Sequence, residues 1–329
     1  MDSNDNRRND GRDSWDTYWR GSGEAGAWGV GGVGHPAFRA FWLDFLAGAG
    51  EGRGQVRLLD IGSGDGAVVG HALEALGGER VETCCVDASS AAIEAIGERF
   101  PLVRGIVADA RTIPLEANGF DIVTSQFGVD YAGEGAVGEA ARMLAPGGRM
   151  ALVLHHAAGG LQRECLEALD AVERLEASEF IVRAAGMFEA GFAAVKGADR
   201  AAYDEAASRL APAVRAVEEI IAEHGEAVAG GTLAGLYAGV ARIHGKLPNY
   251  EPQEVLAWLE RMQRELEPFA GRLRSMMASA LDQPAFEQLC DEVRQAGCGL
   301  LQAGPFEAPG AELPLAWVLL AERPGGAQS

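Results

Sequence analysis

Between residues 56 and 156, short apolar runs alternate with segments whose apolar residues recur every three or four positions. This βαβ rhythm predicts a parallel sheet covered by helices on both faces. The runs predict strands at 56–61, 81–86, 105–108, 120–125 and 149–155, with helices at 67–76, 90–100 and 134–144 between them. Pro146, Gly147 and Gly148 mark a turn just before the fifth strand. After His156 the rhythm stops, and 157–281 reads as helical, with Glu, Ala, Leu and Arg at helical spacing. The βα pattern then returns as a helix at 284–295 and strands at 299–303 and 316–321. The connection 304–314 is too short for a crossover helix, so those two strands should pair antiparallel at the sheet edge. Upstream, PAFRAFWLDFLAGAG predicts a helix ending in C-cap glycines. Residues 1–14, polar and aperiodic, are expected to form a disordered leader. The organisation expected is thus one α/β domain from 15–156 and 282–329, interrupted by a helical insertion at 157–281.

Composition narrows the functional classes. Of 329 residues, 48% are hydrophobic and 23% charged, as in an ordinary globular chain, and 28 basic against 48 acidic side chains leave a net charge of −20. So acidic a chain repels nucleic-acid backbones and anionic lipid, and no basic patch offsets this. The opening MDSNDNRRND lacks the apolar core of a secretion signal, and the uncharged stretch 227–241 is too short and Gly-rich to span a bilayer. A cytoplasmic location is therefore expected. Five cysteines without CxxC spacing suggest neither a disulfide framework nor a zinc site, and no His and carboxylate cluster has metal-ligand spacing.

The most informative text is Val56-Arg-Leu-Leu-Asp60-Ile-Gly62-Ser63-Gly64-Asp65-Gly66, a strand entering a glycine loop and then a helix. Such glycines let backbone N–H groups approach a ligand and turn the chain into a helix N-terminus. Alone the loop is equally a tight turn. Three carboxylates, Asp60, Asp87 and Asp109, each close a predicted strand, and ligands of open α/β sheets bind across the carboxyl ends of the strands. Singly each is a solvated or capping Asp; with the glycine loop they form a ladder. Asp87, 27 residues after Asp60, has the reach to accept both hydroxyls of a ribose. Glycine spacing does not exclude a nicotinamide dinucleotide, but a negative charge at Asp60 suits a cationic amino group and is awkward beside a pyrophosphate.

These motifs, with Ala108-Asp109-Ala110, Phe120-Asp121-Ile122-Val123 and Leu144-Ala145-Pro146-Gly147-Gly148, resemble the class I S-adenosylmethionine-dependent methyltransferases over 56–156 and the last two strands. The resemblance implies a Rossmann-like seven-stranded sheet with an antiparallel last strand, binding S-adenosylmethionine and yielding S-adenosylhomocysteine. It implies that Asp60, Gly62, Ser63 and Gly64 face the methionine end, that Asp87 and Ala88 lie at the ribose, and that Asp109 and Ala110 lie at the adenine. It further implies that Ser125, Gln126 and Phe127 line the methyl-transfer site and that Tyr18 and Trp19 cap the cofactor. The text after the fourth strand is similar to that of quinone and natural-product methyltransferases, which points to a small-molecule acceptor.

Methyl transfer from a sulfonium needs orientation and a dry cavity, and a general base where the acceptor is a hydroxyl or carbon acid. His155 and His156, at the end of the fifth strand, are the candidates, and alternation along the strand directs one of the two into the pocket. Asp130 and Tyr131, after the fourth strand, are positioned to contact an acceptor; a capping Asp and a packed Tyr are the plain alternative. The insertion follows a strand that opens on the same face, so it reads as a substrate cap, with the glycines of 227–241 permitting close packing in a lid or a homodimer interface. A non-catalytic nucleotide-binding interaction protein and an NAD-linked oxidoreductase are the competing classes.

Overall fold

The structure, a computed structural model, describes residues 19–20 and 35–325. The expected leader at 1–14 and Tyr18 lie outside the described residues. The chain divides into two compact units: 164–274 form one, and the described residues on either side of that stretch form the other.

The larger unit opens with α1 (Pro36–Ala49), followed by β1 (Val56–Ile61), α2 (Ala67–Leu76), β2 (Val81–Asp87), α3 (Ser90–Arg99), β3 (Arg104–Val107) and β4 (Phe120–Gln126). A one-turn helix α4 (Val129–Ala132), then α5 (Ala136–Met143) and β5 (Leu144–Leu154), complete the first part. The sheet order is β3-β2-β1-β4-β5-β7-β6, where β6 is Gly299–Phe306 and β7 Ala316–Glu322. Strands β1 to β5 pair in parallel, and β7 inserts antiparallel to both β5 and β6. This is the seven-stranded Rossmann-like arrangement the resemblance implies.

Alternation along the buried strands feeds two cores. Leu59, Ile61, Met150 and Leu152 pack with α5 and with α11 (Gln283–Gln295) on one face, while Leu58, Ile122, Ala151 and Val153 pack with α1 and α2 on the other. Trp42 and Leu46, fully buried, anchor α1 there. Burial on both faces explains why these strands read as continuous apolar runs. The expected turn at Pro146 lies within a strand: pairing jumps from Phe120 with Leu144 to Ile122 with Arg149, so residues 145–148 form an irregularity inside β5. Gly147, at φ 75°, donates to the Arg323 carbonyl at 2.8 Å, which keeps the bulge hydrogen-bonded to the end of the neighbouring strand β7.

The smaller unit is wholly helical. It takes in parts of α6 (Gly160–Ser178) and α10 (Pro252–Ser279) and all of α7 (Phe180–Val195), α8 (Arg200–His224) and α9 (Thr232–Gly245). Its core includes Phe180, Phe188, Leu210, Val217 and Leu236, all buried. Between α7, α8 and α9 lies an apolar cavity of about 410 Å³, bordered by Met187, Ala207, Ala211, Val214 and Val240. Small alanines leave that space, and Pro212 beside them removes one backbone bond from α8. Among the described residues, no helix is long and apolar enough to cross a membrane.

Candidate functional site

The strand order reverses between β1 and β4, since β1 leads outward to β2 and β3 while β4 leads to β5 on its other side. Open α/β sheets bind ligands at the carboxyl ends of such strands, where diverging loops leave a crevice. Here that edge carries the glycine loop after β1 and the segment 127–131 after β4.

The two loops touch backbone to backbone. A Cβ on Gly62 would stand 2.5 Å from the Gly128 Cα, and one on Gly128 would stand 2.7 Å from the Ile61 carbonyl oxygen. Gly62 also has φ 65°, so only glycine meets both conditions. Gly64, at φ 53°, lies against the Trp19 ring, which a Cβ there would meet at 2.7 Å. Helix α2 then starts at Gly66 without a side-chain cap, its first turn presenting N–H groups to this edge.

Asp60 is buried near the end of β1, 1% exposed. Thr124 on the neighbouring strand donates to its Oδ1 at 2.8 Å, and Oδ2 has no partner among the described residues. Burial pushes its pKa up to about 7; the Thr124 hydrogen bond opposes this and Asp87 adds to it. Ser63, also buried and near the Cys85 thiol, has a hydroxyl that makes no hydrogen bond of good geometry among the described residues. Asp87 accepts from the Gly64 N–H at 3.0 Å and from the Ser89 N–H at 2.9 Å, so the β2 carboxylate is locked to the glycine loop. Ala88 beside it is exposed. Ala108 donates its N–H to the Asp87 carbonyl at 3.0 Å, which aligns the third strand's end with the second's. Asp109 receives three hydrogen bonds from Arg111, at 2.9, 3.0 and 2.6 Å, and Ala110 beside it is half-buried.

Near the end of β4, the Ser125 hydroxyl donates to the Ile61 carbonyl at 2.7 Å and accepts from the Val129 N–H at 3.1 Å, tying the glycine loop to α4. Gln126 accepts from the indole of Trp42. Phe127, at φ 52°, packs edge-on against Phe38 and lies 4.5 Å from the His155 ring, centre to centre. His155, 3% exposed, faces Asp130: the Asp130 Oδ2 lies 2.7 Å from Nδ1 and accepts the His155 backbone N–H at 2.8 Å. Tyr131 presents its ring edgewise at 5.3 Å. His155 Nε2 and Asp130 Oδ1 are buried without partners among the described residues.

His156 takes a different course. Its ring stacks on Trp317 at 4.1 Å, its Nδ1 accepts from the Ala158 N–H at 3.0 Å, and burial lowers its pKa. The structure thus gathers Trp19, Asp60, Gly62, Ser63, Gly64 and Asp87 around one loop, and Phe127, Tyr131 and His155 around a second cluster. Thr124 and Gly128 were not singled out from sequence. A β-branched hydroxyl opposite Asp60 and a glycine just after a strand were the only signals available.

Residues 58–148 match the family model described as a methyltransferase domain. No curated protein matches the chain. Among solved structures, it is similar to the YcgJ protein of Bacillus subtilis, at 27% identity over 40% of this chain and 58% of that one, TM-score 0.33. It is also similar to a SAM-dependent methyltransferase of Aquifex aeolicus, at 20% identity over 35% and 64%, TM-score 0.32. A third is geranyl diphosphate methyltransferase in complex with GPP and sinefungin, at 23% identity over 36% and 44%, TM-score 0.30. The chain spans less than two thirds of each of these structures. Residues 58–148, which carry the glycine loop and strands β1 to β4 of the sheet described above, are thus the part of the chain that matches a methyltransferase domain.

Proposed function

We propose that this protein is an S-adenosylmethionine-dependent methyltransferase acting on a small-molecule acceptor. One observation carries the reading. Of seven buried side-chain polar atoms without a partner among the described residues, four belong to Asp60, Ser63, Asp130 and His155, at the carboxyl ends of β1, β4 and β5. Proteins pair nearly all such atoms, and leaving one unmet costs about 1–3 kcal/mol, so a cluster of them at a crevice is the mark of a ligand site.

The residues present fit the cofactor. Asp60 and Ser63 offer acceptor and hydroxyl to an ammonium group, Asp87 is the carboxylate assigned to the ribose, and the Trp19 ring lies over the glycine loop. Bound S-adenosylmethionine supplies an activated methyl carbon on a sulfonium, so the chain's own task is to orient the acceptor and exclude water. A small acceptor accords with the net charge of −20, which disfavours nucleic acid. Five cysteines without CxxC spacing, which suit a reducing compartment, support our assignment of the protein to the cytoplasm. The helical unit is assigned the role of substrate cap or homodimer surface.

Calorimetric titration with S-adenosylmethionine, S-adenosylhomocysteine and NAD in parallel tests the reading. Binding of the first two and not NAD is expected. NAD binding alone would indicate an oxidoreductase, and binding of none would favour an interaction protein.

A further inference from the structure

We propose that His155 and Asp130 form a proton-accepting dyad, which makes the methyl acceptor a hydroxyl compound of phenol or enol type. The proposal rests on the reading above, and deepens it by naming the acceptor.

The hydrogen-bond pattern fixes the chemistry of the ring. Asp130 Oδ2 already accepts the His155 backbone N–H at 2.8 Å, and a carboxylate oxygen accepts only. At 2.7 Å from the same oxygen, Nδ1 must therefore be the protonated nitrogen. The Ser279 hydroxyl, 3.5 Å from Nδ1, donates to the Met276 carbonyl at 2.9 Å and does not compete. The lone pair of the neutral ring is left on Nε2, which is buried and unmatched. An oriented imidazole with a free Nε2 and a carboxylate behind it is a base; the carboxylate holds the tautomer and opposes the charge that develops.

Position supports the assignment. His155 follows β5 directly, and its ring packs against Phe127, whose neighbour Gly128 touches Gly62 of the cofactor loop. Phe127 and Tyr131 give the ring aromatic neighbours on two sides, a setting suited to a planar apolar acceptor. His156, stacked on Trp317 and capping Ala158, is occupied by the scaffold.

The class of acceptor follows from what needs such a base. A neutral amine attacks through its own lone pair, and a carboxylate is already ionised. A phenol, with a pKa of about 10, is a poor nucleophile until its proton leaves. His155 Nε2 takes the hydroxyl proton while the oxygen bonds to the methyl carbon and the carbon–sulfur pair departs with sulfur. The proton ends on the imidazole, opposite Asp130, and passes to solvent after product leaves. Asp130 is a positioning residue in this scheme.

The test uses the full chain saturated with S-adenosylhomocysteine. Long-range nitrogen–proton NMR of the labelled histidines should find His155 protonated on Nδ1, and Asp130→Asn should disturb that tautomer. 4-Nitrophenol, added at a pH where it is protonated in solution, should bind with the absorbance of its phenolate. His155→Gln should abolish that signal and Asp130→Asn should reduce it at least tenfold, with S-adenosylhomocysteine affinity changed less than twofold. An Nε2-protonated ring in the wild type, a phenolate signal surviving His155→Gln, or no bound phenol would overturn the proposal. The tautomer measurement on the wild type holds even if a variant misfolds. Failure to bind S-adenosylhomocysteine at the outset would instead overturn the proposed function.

Discussion

The sheet unit and the helical unit differ in how they treat buried polar groups. All seven unmatched buried polar atoms belong to the sheet unit; among the described residues the helical unit has none. Its charged side chains pair at the surface, within one helix as Arg200 with Asp204 and Arg209 with Glu205, or between helices as Arg174 with Glu223 and Arg274 with Glu173. The cavity between α7, α8 and α9 is lined mainly by apolar side chains. The helical unit is thus built to be self-sufficient, whereas the sheet unit leaves acceptors and a ring nitrogen unmet at one edge. Stability and chemistry are separated along the chain, and the label of chemistry is the clustering of four unmet atoms at that edge, since those of Thr83, Glu292 and Arg323 are scattered elsewhere.

That separation can be broken or sharpened by substitution. The largest expected effect is in the helical core: Phe188→Ala, at a fully buried site, should cost about 3–5 kcal/mol in denaturant melts while leaving S-adenosylhomocysteine affinity unchanged. A large change in affinity would show the two functions to be entangled. Next is Asp60→Asn, whose effect depends on pH. Because the folded pKa is about 7 against an ordinary 3.8, the folded state holds a proton that the unfolded chain releases. Wild-type stability should therefore fall as pH rises from about 4 to about 7, by up to about 4 kcal/mol, and level off above that. The Asn variant should lack this fall and gain stability at pH 8 while losing cofactor affinity, as expected where function is bought with strain. An identical pH profile for the two proteins would contradict the raised pKa of the buried carboxyl.

Gly62→Ala comes third. The contact with Gly128 and the positive φ should together cost about 3 kcal/mol and abolish cofactor binding. Ser125→Ala removes two buried hydrogen bonds and should cost about 1–3 kcal/mol, with cofactor affinity weakened only through the loosened loop. Smallest is Arg183→Ala, which should cost about 0.3–0.5 kcal/mol and less at high salt, since its pair with Glu179 is a surface one.

Much of the fold was legible because each element carried a strong local signal. The first strand and the first crossover helix have the bounds expected, and the N-terminal helix ends at Gly50 as the glycines suggested. The fifth strand was misjudged at its start. Pro146-Gly147-Gly148 has the chemistry of a turn, and only pairing with β4 and β7 makes it a bulge within a strand. The one-turn helix at 129–132 left no trace, since four residues are too few for a helical period.

The candidate site was legible as a set of residues but not as a set of partnerships. The glycine loop and the carboxylates Asp60 and Asp87 announced themselves by spacing. That Thr124 would bind Asp60, or that Asp130 would sit behind His155, depends on strands and loops brought together across 64 and 25 residues. Two adjacent histidines are equivalent in text; in space His155 faces Asp130 while His156 stacks on Trp317. Pairing is a tertiary property, and sequence offers candidates for it without assigning them.

The central claim is that the unmet atoms of Asp60 and Ser63, at the carboxyl end of β1, are where S-adenosylmethionine binds. Calorimetric titration of the wild type and Asp60→Asn with S-adenosylmethionine, in buffers of differing ionisation enthalpy, tests it most directly. Asp60 is half-protonated near pH 7 in the free protein, and an ammonium group beside it favours the ionised form. The account predicts binding that releases a proton below about pH 7 and tightens as pH rises toward that value, with weaker binding and no such release in the variant. Equal affinities and equal proton release in the two proteins would contradict it.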